Sequence, residues 1–150
     1  MSNTVVIGAS SGLGRCIGVG LAKKGGRVAL LVWRALHHSP GFAALADALQ
    51  AVVGPEAAAV MRAPFVFGDD PRPLVTLLDS AGFGDVDVQV RAGTVRFASV
   101  EAFVRCQRAA SPLAAYVDVR HEPDLIAYVE ARAPAVFPIE AAVALGEVGE

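Results

Sequence analysis

Cysteine is scarce. The chain of 150 residues has two, Cys16 and Cys106, with no CxxC and no histidine at metal-ligand spacing. That excludes a disulfide framework and a zinc site as organising features, and leaves buried or partly buried free thiols. An excess of one charge is also missing. The 13 basic and 15 acidic residues give a formal net charge of −2, and the arginines are dispersed. No basic run can track phosphates, so no nucleic-acid partner is expected. Hydrophobic residues make up 54% of the chain and the mean hydropathy is +0.49, yet no apolar run approaches the roughly 20 residues that cross a bilayer. No membrane partner is expected, and the excess is assigned to buried sheet and to an apolar surface that a partner covers. Met1-Ser2-Asn3-Thr4 leads straight into a strand without a basic n-region, an apolar h-region or a cleavage site, so a cytoplasmic location is expected. There is no internal repeat, low-complexity segment or clear linker, and residues 1–150 have the length of one domain.

What is present is organised around Val5-Val6-Ile7-Gly8-Ala9-Ser10-Ser11-Gly12-Leu13-Gly14. An apolar strand runs into a glycine-rich turn and then into a helix, which presents backbone N–H groups and a positive helix end to a phosphate. Gly8 allows the tight turn, Gly12 lets a pyrophosphate approach the backbone, and Gly14 lets the helix lie against its strand. Ser10 and Ser11 add hydroxyl donors. The same turn would serve in a protein that binds nothing.

Gly8 to Gly14 resembles the cofactor loop of the short-chain dehydrogenase/reductase family, which binds NAD(H) or NADP(H). The resemblance covers about residues 1–34, and Ile7 stands where that family usually has threonine. It implies cofactor contacts from Gly8, Ser10, Ser11, Gly12, Leu13 and Gly14. Arg34 falls just past the second strand, where a basic residue in that family meets the 2′-phosphate of NADP. No acidic residue stands there to hold a free ribose, so NADP(H) is favoured over NAD(H). A solvated arginine at a strand end is the plain alternative.

Along the chain, Leu13, Ile17 and Leu21 step along one helix face from Leu13 to Lys24, and Gly25-Gly26 ends it. Arg27 to Trp33 is a nearly continuous apolar run, as expected of a parallel strand covered on both faces. Phe42, Leu45, Ala46, Leu49 and Val52-Val53 predict a helix that Gly54-Pro55 stops, and Glu56 to Met61 a short one. Asp70 is expected to cap a helix carrying Leu74, Leu77 and Leu78, with Gly82 beyond its end. Val86 to Arg91 alternates like a half-buried strand, with Gly93 as a bulge before Thr94 to Phe97. Ser99 is expected to cap a helix with Phe103 and Val104, another helix runs from Pro123 to about Arg132, and Ala135 to Leu145 is the last strand.

A second resemblance covers about residues 25–150. Gly25 to Arg34, His38-Ser39-Pro40-Gly41-Phe42, Met61-Arg62-Ala63-Pro64-Phe65, Ala81-Gly82-Phe83 and Gly93-Thr94-Val95-Arg96-Phe97 look like the C-terminal half of class I S-adenosylmethionine-dependent methyltransferases acting on small molecules. The two resemblances overlap at Gly25 to Arg34, which serves as the second dehydrogenase strand or as the fifth methyltransferase strand. The implied fold is α/β, a Rossmann-like three-layer sandwich with a short, mostly parallel sheet and an antiparallel terminal strand.

The chemistry of both families is incomplete. A short-chain dehydrogenase needs a tyrosine with a lysine about one helical turn later, whereas Tyr116 is followed at the fourth position by Arg120 and Tyr128 by Arg132. The glycine loop and ribose carboxylate of a methyltransferase belong to the half that these residues do not resemble, so S-adenosylmethionine is a less favoured cofactor than a nicotinamide dinucleotide. His37 and His38 follow the strand end, and His38 is a candidate general base. The plain reading is a loop pair shaped by Ser39-Pro40-Gly41. His121 reads as a solvent-facing loop residue, and Met61 with Phe65 to Phe67 as core or as a pocket lining. Asp69-Asp70 reads as turn and capping chemistry, and no metal site is assigned. Three functions follow: a catalytically incomplete methyltransferase-like domain with a dehydrogenase-type loop, an NAD(P)(H)-binding oxidoreductase-like protein or binding module, and an interaction protein. Val5-Val6-Ile7 carries neither charge nor proline to protect a sheet edge, so a homodimer paired along that strand is expected.

Overall fold

Prolines mark where the helices start. Pro40, Pro55, Pro73 and Pro123 each sit in a first turn, where a missing N–H costs nothing. The computed structural model describes residues 27–110 and 112–147, together with the backbone of residues 3–7. Four strands and five α-helices are found among them: β1 (Asn3–Ile7), β2 (Arg27–Trp33), α1 (Pro40–Val52), α2 (Pro55–Arg62), α3 (Arg72–Ser80), β3 (Gly84–Arg96), α4 (Val100–Ala109), α5 (Glu122–Glu130) and β4 (Val136–Glu147). The expected helix over Leu13 to Lys24 lies outside the described residues. No helix among the described residues is long and apolar enough to cross a membrane.

The strand order is β1-β2-β4-β3. β1 pairs with β2 in parallel, Asn3 opposite Arg27 and Ile7 opposite Leu31. β4 pairs with β2 antiparallel, Glu147 opposite Arg27 and Ala141 opposite Trp33. β3 also runs against β4: the Phe97 N–H donates to the Ala135 carbonyl at 3.0 Å, while Gly93, earlier in the chain, lies beside Ile139. The mostly parallel, Rossmann-like sheet expected from the sequence is therefore corrected, because β2, β4 and β3 form an antiparallel set. An apolar run reports that a strand is buried, not which way its neighbours point. β2 in fact alternates, with Val28, Leu30 and Val32 buried and the residues between them only partly so. That pattern suits a sheet with one well-covered face. β3 runs without interruption through Gly93, where a bulge was expected.

The described residues form two compact units. The first comprises residues up to 35, 64–92 and 140 onward, and its core is built on one face of β2. Val28, Leu30 and Val32 stand opposite Gly146, Ala144 and Ala142. These small residues leave room for Leu74 and Leu78, one helical turn apart on α3, and for Phe83. At Gly146 an added Cβ would come within 3.0 Å of the Phe83 Cβ, so a side chain there would push Phe83 out of its seat.

The second unit comprises residues 36–63 and 93–139 and is mainly helical. Leu45 and Leu49 of α1, Ala57, Ala58 and Met61 of α2, Phe103 and Val104 of α4, and Leu125 and Val129 of α5 share one core with Phe137. Ser99 caps α4 as its sequence predicts, its hydroxyl oxygen accepting from the Ala102 N–H at 3.0 Å. Gly41 is required by close approach. A Cβ there would fall on the ring of Phe137, which packs edge-on against Phe42 and Phe103 and cannot turn aside freely. Gly41→Ala is expected to lower stability by about 2 kcal/mol, the usual cost of overpacking. The urea unfolding midpoint measures it, and an unchanged midpoint would show that the ring gives way.

Candidate functional site

Among the described residues of the first unit, charged side chains gather against an apolar lining at the end of β2. Antiparallel pairing with β4 continues one residue past the strand, where the Arg34 N–H donates to the Glu140 carbonyl at 3.0 Å. This sets the Arg34 side chain beside that of Glu140, and the two form an ion pair. The other guanidinium nitrogen reaches Asp69 at 3.0 Å. Only 19% of the Arg34 side chain is exposed, so its charge is stabilised by these carboxylates more than by water.

Asp69 is carried by the loop between Phe65 and α3. Gly68 turns that loop with φ of 61°, a left-handed conformation that glycine adopts without strain. Asp70, expected as the N-cap of the next helix, instead precedes the capping position, which Pro71 occupies. Its carboxylate still accepts the Arg72 N–H at 3.0 Å and grips the Arg72 guanidinium at 2.6–2.9 Å. The side-chain hydrogen bonds from Arg72, then its backbone N–H, hold the Asp70 carboxyl below the usual carboxylate value. What this pair contributes is therefore present at neutral pH and is lost in acid as Asp70 takes a proton.

Arg34, Asp69 and Asp70, with Val32, Phe67, Leu74 and Val88 among the apolar residues, line a cleft of about 80 Å³. Sites that enclose drug-sized ligands or cofactors start at about 300 Å³. The described part of this cleft has room for a small group.

Gly8, Ser10, Ser11, Gly12, Leu13 and Gly14 lie outside the described residues. Arg34 belongs to the first unit, in the cleft, and His38 to the second. His37 and His38 lie on a single 3₁₀ turn, Leu36–His38, with ring centroids 4.1 Å apart. Of the residues proposed as a pocket lining, Phe67 lines the cleft, while Phe65 is buried and Met61 sits in the core of the second unit.

The remaining acid–base candidates have structural work. The Arg132 guanidinium lies 3.6 Å from the Tyr128 ring centroid and donates to the Tyr128 carbonyl at 3.1 Å, a stacked pair and not a tyrosine–lysine couple. Tyr116 follows a 3₁₀ turn and is 44% exposed. His121 is not a plain loop residue: its Nδ1 accepts the Asp118 N–H at 3.1 Å.

The partners of Arg34 were missed by sequence reasoning. Glu140 did carry a signal, since a lone acid inside Phe137-Pro138-Ile139-Glu140-Ala141-Ala142-Val143 stands where only a paired charge is tolerated. Asp69 carried none, because an Asp-Asp-Pro sequence reads equally well as a turn. No family model matches the chain, and no curated protein matches it.

Proposed function

We propose that this chain is a methyltransferase-like protein with a dehydrogenase-type nucleotide loop, and that it is catalytically incomplete on its own. The observation that carries this reading is the strand-end cleft, whose half-buried cation is already paired with Asp69 and Glu140. The sequence spacing supports it, since Tyr116 and Tyr128 are followed at the fourth position by arginine and not lysine, and Tyr128 is stacked under Arg132. In this reading Gly8 to Gly14 holds NADP(H) or NAD(H), and S-adenosylmethionine binds more weakly. Arg34 offers a 2′-phosphate a charge that two carboxylates already offset. The two dinucleotides are therefore expected to bind within about tenfold of each other, a difference of about 1.4 kcal/mol.

Equilibrium titration of the purified chain with NADPH, NADH and S-adenosylmethionine tests the reading. Both dinucleotides should bind more tightly than S-adenosylmethionine. Gly12→Val should weaken them by at least about tenfold, because a β-branched side chain would occupy the space of the pyrophosphate. Equal NADPH affinity in the wild type and the variant would reduce the loop to a turn. NADPH oxidation or methyl transfer by homogeneous protein would overturn the claim of incompleteness.

A further inference from the structure

We propose that the turn from Asp118 to His121 is an acid-sensitive clasp at the start of α5, in which neutral His121 holds the Asp118 backbone N–H and a proton on the same ring nitrogen releases it. The turn is a capping box. Asp118 Oδ1 accepts the Arg120 N–H at 3.1 Å, and the His121 side chain reaches back to the Asp118 N–H at 3.1 Å. The residue that reaches back in such a box is ordinarily glutamate or glutamine, whose oxygen remains an acceptor at neutral pH. Imidazole differs. It accepts through a ring nitrogen only while that nitrogen has its lone pair, and in the imidazolium both nitrogens are donors. Histidine at this place makes the clasp depend on whether that nitrogen carries a proton.

The surroundings set the outcome. On the turn itself stand Asp118 and Arg120, and on α5 stand Glu122, the next residue in the chain, and Asp124. On α4, Arg105 and Arg108 hold Glu122, and Arg108 also acts electrostatically on Asp118. An imidazolium at His121 faces the positive end of α5 together with these arginines, and the nearby Asp118 carboxylate draws the charged ring away from the backbone N–H. Asp118 does not titrate in the same window. Its carboxyl is held below the ordinary 3.8, chiefly by the Arg120 N–H, so its share of the stability is lost only in stronger acid.

NMR of the ¹⁵N-labelled full chain from about pH 8 to about pH 5 tests the clasp. The Asp118 amide shift should move with the same midpoint as the His121 ring protons. Its hydrogen exchange, corrected for the intrinsic pH dependence, should accelerate about fivefold as the ring charges, the loss of one modest hydrogen bond. In His121→Gln the acceptor is kept and the titration removed, so the Asp118 amide should stay protected and stationary. An Asp118 amide that still titrates in His121→Gln would overturn the proposal. So would a stationary one in the wild type while His121 titrates, or a His121 ring that does not titrate in this range.

Discussion

Phe103→Ala is expected to cost about 4 kcal/mol of stability, within the range found when a buried aromatic is truncated and its cavity only partly closes. Phe103 is 1% exposed, and three other rings close on it. Its centroid is 5.3 Å from that of Phe42, 5.2 Å from that of Phe97 and 5.3 Å from that of Phe137, and the Phe42 and Phe137 pairs meet edge-on. These are spacings at which the rim of one ring is attracted to the face of the next. Val100 and Val104 complete the buried face of α4, so truncation removes the largest of three anchors of that helix. A domain of this size has about 5–15 kcal/mol in all, so the variant should unfold at much lower urea or lose its cooperative transition. Phe103→Leu, which leaves a smaller void, should recover much of the loss. A loss below about 1 kcal/mol for Phe103→Ala would mean that the rings are loosely held and close over the gap.

Local signals were legible where local physics decides. Ser99 before Val100, Phe103 and Val104 announces both a helix start and its buried face, and Gly54-Pro55 separates α1 from α2 as the residue types demand. Sheet polarity was not legible in this way. β4 reaches β2 only after more than a hundred residues of intervening chain, and nothing in Arg27 to Trp33 encodes the direction from which a partner arrives. The C-terminal end of β4 looked like any last strand, although its small residues Ala142, Ala144 and Gly146 were a sign that it lies under packed side chains of another element. The candidate site divides along the same line. Arg34 is visible at a strand end, while its neutralisation depends on Asp69 and Glu140, which only the fold brings to it. His121 was misjudged because a capping box is sought with glutamate or glutamine at its far end, and histidine does the same work in its neutral form.

Glu122→Ala is expected to cost about 3 kcal/mol, at the low end of the range for breaking a buried ion pair, since one of its arginines is well exposed. Glu122 opens α5 and is 5% exposed, an unusual burial for a carboxylate. Two guanidinium groups from α4 balance it: Arg105 at 3.2 Å, also tied to Glu101 at 2.8 Å, and Arg108, whose contacting nitrogen is buried. The positive end of α5 adds to the attraction. Removing the carboxylate leaves the Arg108 nitrogen without water and without its counter-charge, and that penalty, more than the loss of a favourable pair, sets the size of the effect. The double variant Glu122→Ala with Arg108→Met should therefore be more stable than Glu122→Ala alone, because methionine replaces a stranded charge by an apolar side chain of similar reach. A double-mutant cycle by urea denaturation reads this directly. If Glu122→Ala costs less than about 0.5 kcal/mol, or if Arg108→Met adds its full cost on top, the carboxylate contributes no more than a surface ion pair and α5 is held to α4 by Leu125 and Val129 packing alone.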